Sequence, residues 1–177
     1  MLTYALKVGC LLSWHGLVKK PVDPQEPFRM RLRAWPWHCD AYRHLNSASY
    51  LRLAEYARWA WGARTPWLKR AMSDGWVGLV GGVDVVYRRP IPLMSAFEVV
   101  CRVTGADERW LFISYEFVLP NGQIACRALA RLQFRSRKGI VAPEEAARVA
   151  GIPIPEKSSE IDLVRVLAES QLATIGR

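Results

Sequence analysis

One apolar helix dominates the pattern of this sequence, in residues 47–64, SASYLRLAEYARWAWGAR. Apolar residues recur there at intervals of three and four, which is the period of an α-helix. These residues are Tyr50, Leu53, Ala54, Ala57 and Trp61. Three further apolar residues widen the face around the helix: Tyr56, Trp59 and Ala60. A helix with so little polar surface is expected to be nearly enclosed by the rest of the chain.

Before and after this helix, the sequence contains segments in which apolar and polar residues alternate. In residues 28–35, FRMRLRAW, apolar side chains alternate with arginines, and period two predicts a β-strand with one buried and one basic face. Four more strands are predicted after the helix, at residues 81–89, 96–104, 110–118 and 125–135. Pro120-Asn121-Gly122 predicts a tight hairpin between the last two.

The order of these elements predicts the fold. Strands joined by short turns must be antiparallel neighbours, because a parallel crossover needs a much longer connection. The order of one strand, one long helix and four further strands fits a single antiparallel β-sheet wrapped around one long central helix. We therefore expect an α+β chain with the hotdog fold, spanning residues 28–150.

The two ends of the chain are predicted to lie outside this domain. Residues 1–27 combine an apolar segment with the proline-rich linker PVDPQEP, and residues 151–177 form an extension with a helix at 158–173. Short helices are also expected at 66–76 and between Pro143 and Gly151. For residues 1–20 we expect a helix packed on the chain's own domain, with peripheral membrane contact as the alternative. Lys7 inside this segment argues against a spanning helix.

Charge and cysteine content limit the class of protein. The net charge of +9 and the pI near 9.8 favour a polyanionic partner. The four cysteines form no C-x-x-C pair, which fits a reducing cytoplasm and argues against a zinc ribbon. No metal or redox cofactor is indicated by the sequence. We expect no nucleic-acid partner, because the strand face with Arg127, Arg131 and Arg135 carries no interleaved aromatic residues.

The segment HCDAYRHLN, residues 38–46, places an acid, two histidines and an asparagine directly before the central helix. Its continuation, D-A-Y-R-H-L-N-S-A-S-Y-L at 40–51 and A-E-Y-A-R at 54–58, resembles the hotdog acyl-CoA thioesterases. The similarity is greatest to the branch that contains 4-hydroxybenzoyl-CoA thioesterase and a D-x-x-x-H-x-N motif. The resemblance extends over roughly residues 28–140 and implies a homodimer or a dimer of dimers.

The resemblance also implies roles for individual residues. Asp40 occupies the position of the catalytic carboxylate, and His44 and Asn46 occupy those of its polar partners. Ser47 stands where a second asparagine is usual. Tyr42 and Ser47 are expected to contact the substrate, and Arg88 and Arg89 are expected to hold the phosphates of CoA.

Each of these residues also has a structural interpretation. Asp40 could be a turn acid, His44 a hydrogen-bonding residue of the loop, and Asn46 the N-cap of the helix. Glu55 is a second candidate acid, although Arg52 and Arg58 lie three residues away and favour an ion pair. His38 and Cys39 could form a nucleophilic pair, but they lack an orienting third group and are too few to hold a metal.

The leading hypothesis is a cytoplasmic acyl-CoA thioesterase in which Asp40 is the general base or the nucleophile. The alternative is a non-catalytic hotdog protein that binds acyl-CoA or an acyl carrier as a sensor or assembly partner. A hotdog dehydratase would carry its acid and histidine in a different motif. The sequence leaves the acyl group open.

Overall fold

The computed structural model describes residues 2–153, in which six β-strands form one antiparallel sheet. The strands lie in the order β1-β3-β4-β5-β2, and the short β6 pairs with β5. Five of them confirm the predicted strands, and β6 was not predicted. The strands are β1 Phe28–Arg33, β2 Val77–Tyr87, β3 Ala96–Ala106, β4 Leu111–Val118, β5 Ile124–Ser136 and β6 Gly139–Val141.

The predicted helices within the described residues are confirmed. They are α1 Leu2–Ser13, α2 Ser47–Ala63, α3 Pro66–Ser73 and α4 Pro143–Ala150. A π-helical turn, Trp14–Val18, follows α1, and a 3₁₀ turn, Pro36–His38, follows β1. Gly151 ends α4 with a φ of 74°, the left-handed conformation that glycine adopts without strain. The helix expected at 158–173 lies outside the described residues.

The core lies between α2 and one face of the sheet. From α2, the side chains of Leu53 and Ala57 are buried in it. The sheet contributes every second residue of its central strands, as the alternation predicted. The buried set includes Phe97, Val99 and Cys101 of β3, Ile113, Tyr115 and Phe117 of β4, and Ala128, Ala130 and Leu132 of β5.

Helix α2 packs against α1, α3 and the sheet, and its exposed residues, 47, 48, 51 and 52, lie in its first two turns. The prediction that it would be nearly enclosed is therefore confirmed beyond these turns. Leu51 is 40% exposed, and Arg52 is exposed beside it. Both side chains line a cleft between α2 and the edge strand β2, where Val80 and Val83 form the opposite wall. The helix is therefore apolar on two faces because it borders both a core and a cleft.

The hairpin between β4 and β5 forms at the predicted residues. The Gly122 N–H donates to the Leu119 carbonyl at 2.9 Å, and the Leu119 N–H donates to the Gln123 carbonyl at 2.8 Å. Gly122 has a φ of 79°, so the left-handed residue of the turn is the glycine. The turn sets the register in which Glu116 lies opposite Arg127.

The outer face of the sheet is less basic than the sequence alone indicates. Arg127 forms an ion pair with Glu116 at 2.9 Å, and Arg29 and Arg31 share Glu98 at 3.3 and 3.0 Å. One aromatic residue does contact an arginine of this face, because the guanidinium of Arg131 lies 5.9 Å from the ring centroid of Trp110. One such contact falls short of the interleaved pattern that single-stranded nucleic acid needs.

The N-terminal segment packs on the domain. Helix α1 contacts α2, and the chain after the π-helical turn is joined to the end of α2 by two hydrogen bonds. The Val22 N–H donates to the Arg64 carbonyl at 3.0 Å, and Arg64 Nε donates to the Lys20 carbonyl at 2.8 Å. Within residues 2–153, no helix combines the length and the apolar character needed to cross a bilayer.

Candidate active site

Residues 38–46 form a small closed loop directly before α2. Cys39 and Leu45 form an antiparallel bridge across its base. The Asp40 N–H donates to the His44 carbonyl at 2.9 Å, and the Asn46 N–H donates to the His38 carbonyl at 2.9 Å. These bonds hold the ends of the loop together, so Asp40 and His44 are neighbours.

The Asp40 side chain is exposed and fixed through one of its two oxygens. Oδ1 accepts the Tyr42 N–H at 3.0 Å and the His44 N–H at 3.3 Å. Both bonds are accepted by Oδ1, so the loop fixes the exposed carboxylate without using Oδ2. The predicted turn role is therefore present, and it is compatible with chemistry at the second oxygen.

The tip of the loop has an unusual backbone conformation. Arg43 has a φ of 60°, a left-handed value that a long side chain rarely adopts. Its carbonyl accepts the Leu93 N–H at 2.8 Å, and the Leu45 N–H donates to the Ile91 carbonyl at 2.8 Å. The segment after β2 thus fixes the loop from the other side. Nothing in the residue type of Arg43 signals this conformation, so the sequence did not predict it.

Asn46 is the N-cap of α2, as its structural interpretation predicted. Its Oδ1 accepts the Ala48 N–H at 2.9 Å, and its carbonyl accepts the N–H groups of Ser49 and Tyr50. The Asn46 side chain and carbonyl thus engage three of the first four N–H groups of the helix. The Ser47 N–H is the remaining group that can support an oxyanion from this turn.

The end of β2 lies beside the first turn of α2. The Tyr87 hydroxyl donates to the Ser47 carbonyl at 3.2 Å. Arg88 and Arg89 follow, and their N–H groups donate to the Ala125 carbonyl at 2.8 and 3.0 Å, while their side chains are exposed. The Tyr87 side chain therefore joins the end of β2, which the two arginines follow, to the first turn of α2. The sequence placed Tyr87 on a strand face but gave no signal for its contact with α2.

Comparison with known proteins identifies the family. A family model described as the thioesterase-like superfamily matches residues 34–162, which is most of the chain. The chain belongs to this superfamily. The match includes the loop at 38–46 and the whole of α2, the elements that carried the resemblance in the sequence.

Solved structures have the same fold as this superfamily member. YbaW, a probable thioesterase from Escherichia coli, is 22% identical over 70% of this chain and 98% of its own, with a TM-score of 0.65. A 1,4-dihydroxy-2-naphthoyl-CoA thioesterase from Synechocystis is 14% identical, over 71% and 96%, with a TM-score of 0.60. A hypothetical protein from Staphylococcus aureus, solved with CoA, is 12% identical, over 80% and 96%, with a TM-score of 0.62.

The structure of this thioesterase-like chain gives less support to two alternative sites, a nucleophilic pair of His38 and Cys39 and a metal site. Burial, and then the charge of Asp40, raises the pKa of the Cys39 thiol, which disfavours the thiolate that a nucleophilic pair with His38 would need. All four cysteines are free. No group of three or more His, Cys, Asp or Glu side chains within residues 2–153 has the arrangement of a metal site.

The predicted ion pair of Glu55 is confirmed with Arg58. Arg58 Nη2 lies 3.3 Å from Glu55 Oε1, and Arg58 Nη1 donates to the Tyr115 hydroxyl at 3.4 Å. The three side chains line the cleft between α2 and β2, which has a volume of about 300 Å³. Glu55 is thus the partner of a cation, and the apolar walls of the cleft can accommodate an acyl group.

The capping role of Asn46 leads to a prediction about stability. Asn46→Ala should lower the free energy of unfolding by about 1 kcal/mol, because the Ala48 N–H loses its acceptor. Asn46→Asp keeps the acceptor and should unfold like the natural protein in a urea titration. An Asn46→Ala variant of unchanged stability would contradict the capping role, and an Asn46→Asp variant that is stable but inactive would indicate a contact with substrate.

Proposed function

We propose that the protein hydrolyses an acyl-CoA thioester with Asp40 as its catalytic residue. The observation that carries the proposal is the Asp40 carboxylate, held through Oδ1 by two N–H groups while the side chain stays exposed beside the first turn of α2. Thioester hydrolysis requires a carboxylate in a fixed orientation. The cleft with apolar walls begins at Leu51, one turn further along α2.

Two routes use the same oxygen. In the first, Asp40 Oδ2 takes a proton from a water molecule as the water oxygen attacks the thioester carbonyl. In the second, Oδ2 attacks the carbonyl itself and forms a mixed anhydride, which water then hydrolyses. In both routes the C–S bond breaks, the CoA sulfur leaves as a thiolate that is then protonated, and the acyl group leaves as a carboxylic acid.

The neighbouring residues have supporting roles in this proposal. The Ser47 N–H supports the negative charge on the thioester oxygen in the transition state. His44 positions Asp40 through its backbone N–H, and Asn46 sets the direction of the helix start. Arg88 and Arg89, exposed after β2, bind the phosphates of CoA, and Tyr42, which is 82% exposed, contacts the CoA arm.

The direct test is thiol release from acyl-CoAs of several chain lengths and from an aryl-CoA. Turnover of any member above the rate in buffer supports the proposal and begins to define the substrate. A natural protein that turns over none of them but binds them in calorimetry favours the second candidate, a non-catalytic acyl-CoA or acyl-carrier binder. That candidate is favoured by the structural bonds of Asp40 Oδ1 and Asn46 Oδ1, which give both side chains a role without catalysis.

We also propose that the protein forms a homodimer through β2. Within residues 2–153, β2 has one strand neighbour, β5, and its other edge offers free N–H and C=O groups. Its side chains are apolar and unusually exposed, with Leu79 at 43% and Val86 at 60%. A second copy paired along this edge would cover them and extend the wall of the cleft.

A charge on this edge should separate the subunits. Leu79→Lys is expected to convert the dimer to a monomer in light scattering, because a buried lysine without a partner opposes association. The control is Ile140→Lys on β6, where the natural residue is 54% exposed and the oligomeric state should not change. A natural protein that is already monomeric, or a dimer that persists in Leu79→Lys, would exclude β2 as the interface.

A further inference from the structure

A second cavity lies beyond the cleft, towards the C-terminal half of α2. Its volume is about 240 Å³, and it is lined almost entirely by apolar side chains, five of which are aromatic. Four of the eight tryptophans face it, together with apolar residues of the central strands. Its walls include Trp59, Trp61, Trp67, Trp76, Ile113 and Phe134.

The two cavities are consecutive along the same elements. On the strands, the lining passes from Tyr115 to Ile113 on β4 and from Ala130 to Leu132 on β5, and a two-residue step keeps the same sheet face. On α2, Arg58 lines both cavities. The cleft and the aromatic cavity therefore form two parts of one path along α2, which the Arg58 side chain separates.

The Arg58 side chain, which forms the boundary between the two cavities, is polar only at its guanidinium group. The Arg58 guanidinium is held by Glu55 and by the Tyr115 hydroxyl, and the side chain is 16% exposed. The methylene stem of an arginine fixed in this way offers an apolar surface along which an alkyl chain can pass. Beyond it, no ionisable side chain other than Arg58 lines the described walls of the aromatic cavity.

We propose that the aromatic cavity binds the methyl end of a long, unbranched acyl chain. This inference rests on the proposed function, in which the thioester is held at Asp40 and the first turn of α2. From Asn46 to Arg58 the helix advances by about 18 Å, at 1.5 Å per residue. With a carbon–carbon bond near 1.5 Å, an extended chain needs about a dozen carbons or more to pass Arg58. Shorter acyl groups end in the cleft and leave the cavity empty.

The first test compares octanoyl-CoA with palmitoyl-CoA. The natural protein should have the higher kcat/KM for palmitoyl-CoA. Ala71, buried in the cavity wall on α3, offers the informative change. Ala71→Leu should lower kcat/KM for palmitoyl-CoA by about tenfold or more, while octanoyl-CoA is little affected, because added side-chain volume occupies only the far end of the path. Lys69→Leu adds the same side chain at an exposed position of α3 and should change neither value.

The second test needs no variant and no turnover. Stearic acid with a nitroxide near its methyl end should quench tryptophan fluorescence more strongly than stearic acid with a nitroxide near its carboxyl group. Equal quenching by the two probes, or an equal loss of both substrates in a folded Ala71→Leu variant, would overturn the assignment of the cavity. If no acyl-CoA is hydrolysed but the methyl-end probe still quenches more strongly, the proposed function fails and the chain-binding cavity remains.

Discussion

Asp40→Asn should lower kcat/KM for acyl-CoA by about 10²–10⁴-fold, the range that a positioned base contributes. The substitution keeps an oxygen at Oδ1, so the bonds from the N–H groups of Tyr42 and His44 can persist. It removes the charge and the proton-accepting ability of the second oxygen. Thiol release, measured with the best substrate of the panel, gives the comparison.

Two control variants separate chemistry from loop structure. Asp23→Asn changes another exposed aspartate whose Oδ1 accepts an N–H two residues on, that of Gln25 at 2.9 Å, and it should leave the rate unchanged. Asp40→Ala removes the loop bonds as well and should lower both the rate and the melting temperature. If Asp40→Asn keeps the natural rate, Asp40 is a turn acid and the catalytic proposal is wrong.

The fold was predictable because its signals are local. Alternation in residues 96–104 and 125–135 reports which side chains face the core, and the structure buries Phe97, Val99, Ala128 and Ala130 accordingly. The sixth strand, Gly139–Val141, was not predicted because three residues are too few to show a period. The cleft beside α2 was not predicted for another reason: an apolar side chain that lines a cleft has the same residue type as one in the core.

The candidate site was predictable in its parts but only partly in its geometry. The motif identified Asp40 and Asn46, and capping preference predicted the bond from Ala48 to Asn46. The left-handed Arg43 and the contact from Tyr87 to Ser47 depend on how distant segments meet. No periodicity or residue preference encodes such contacts, so they become visible only in three dimensions.

Tyr50 connects the fold to the site, and its replacement should have the largest effect on stability. The side chain is 4% exposed, and its ring packs edge-on against Phe117 at 4.9 Å and Tyr87 at 5.2 Å between centroids. Burial raises the pKa of Tyr50 to about 12, and the polar backbone of Ile91 near the hydroxyl opposes this shift. Ile91 also accepts the Leu45 N–H of the candidate loop. One side chain thus joins α2, β2, β4 and the segment that holds Asp40.

Tyr50→Ala should destabilise the protein by about 3–5 kcal/mol, the range for removing a large buried aromatic side chain. The melting temperature should fall by about 6–20 °C. Tyr50→Phe keeps the ring and should lose only about 1 kcal/mol, the net contribution of one hydrogen bond. Because the ring fixes the first turn of α2 against β2, Tyr50→Ala should also raise the KM for acyl-CoA at temperatures where it is fully folded. Equal stability of the two variants would mean that the ring contacts do not hold this end of the helix, and the site would then depend on the loop bonds alone.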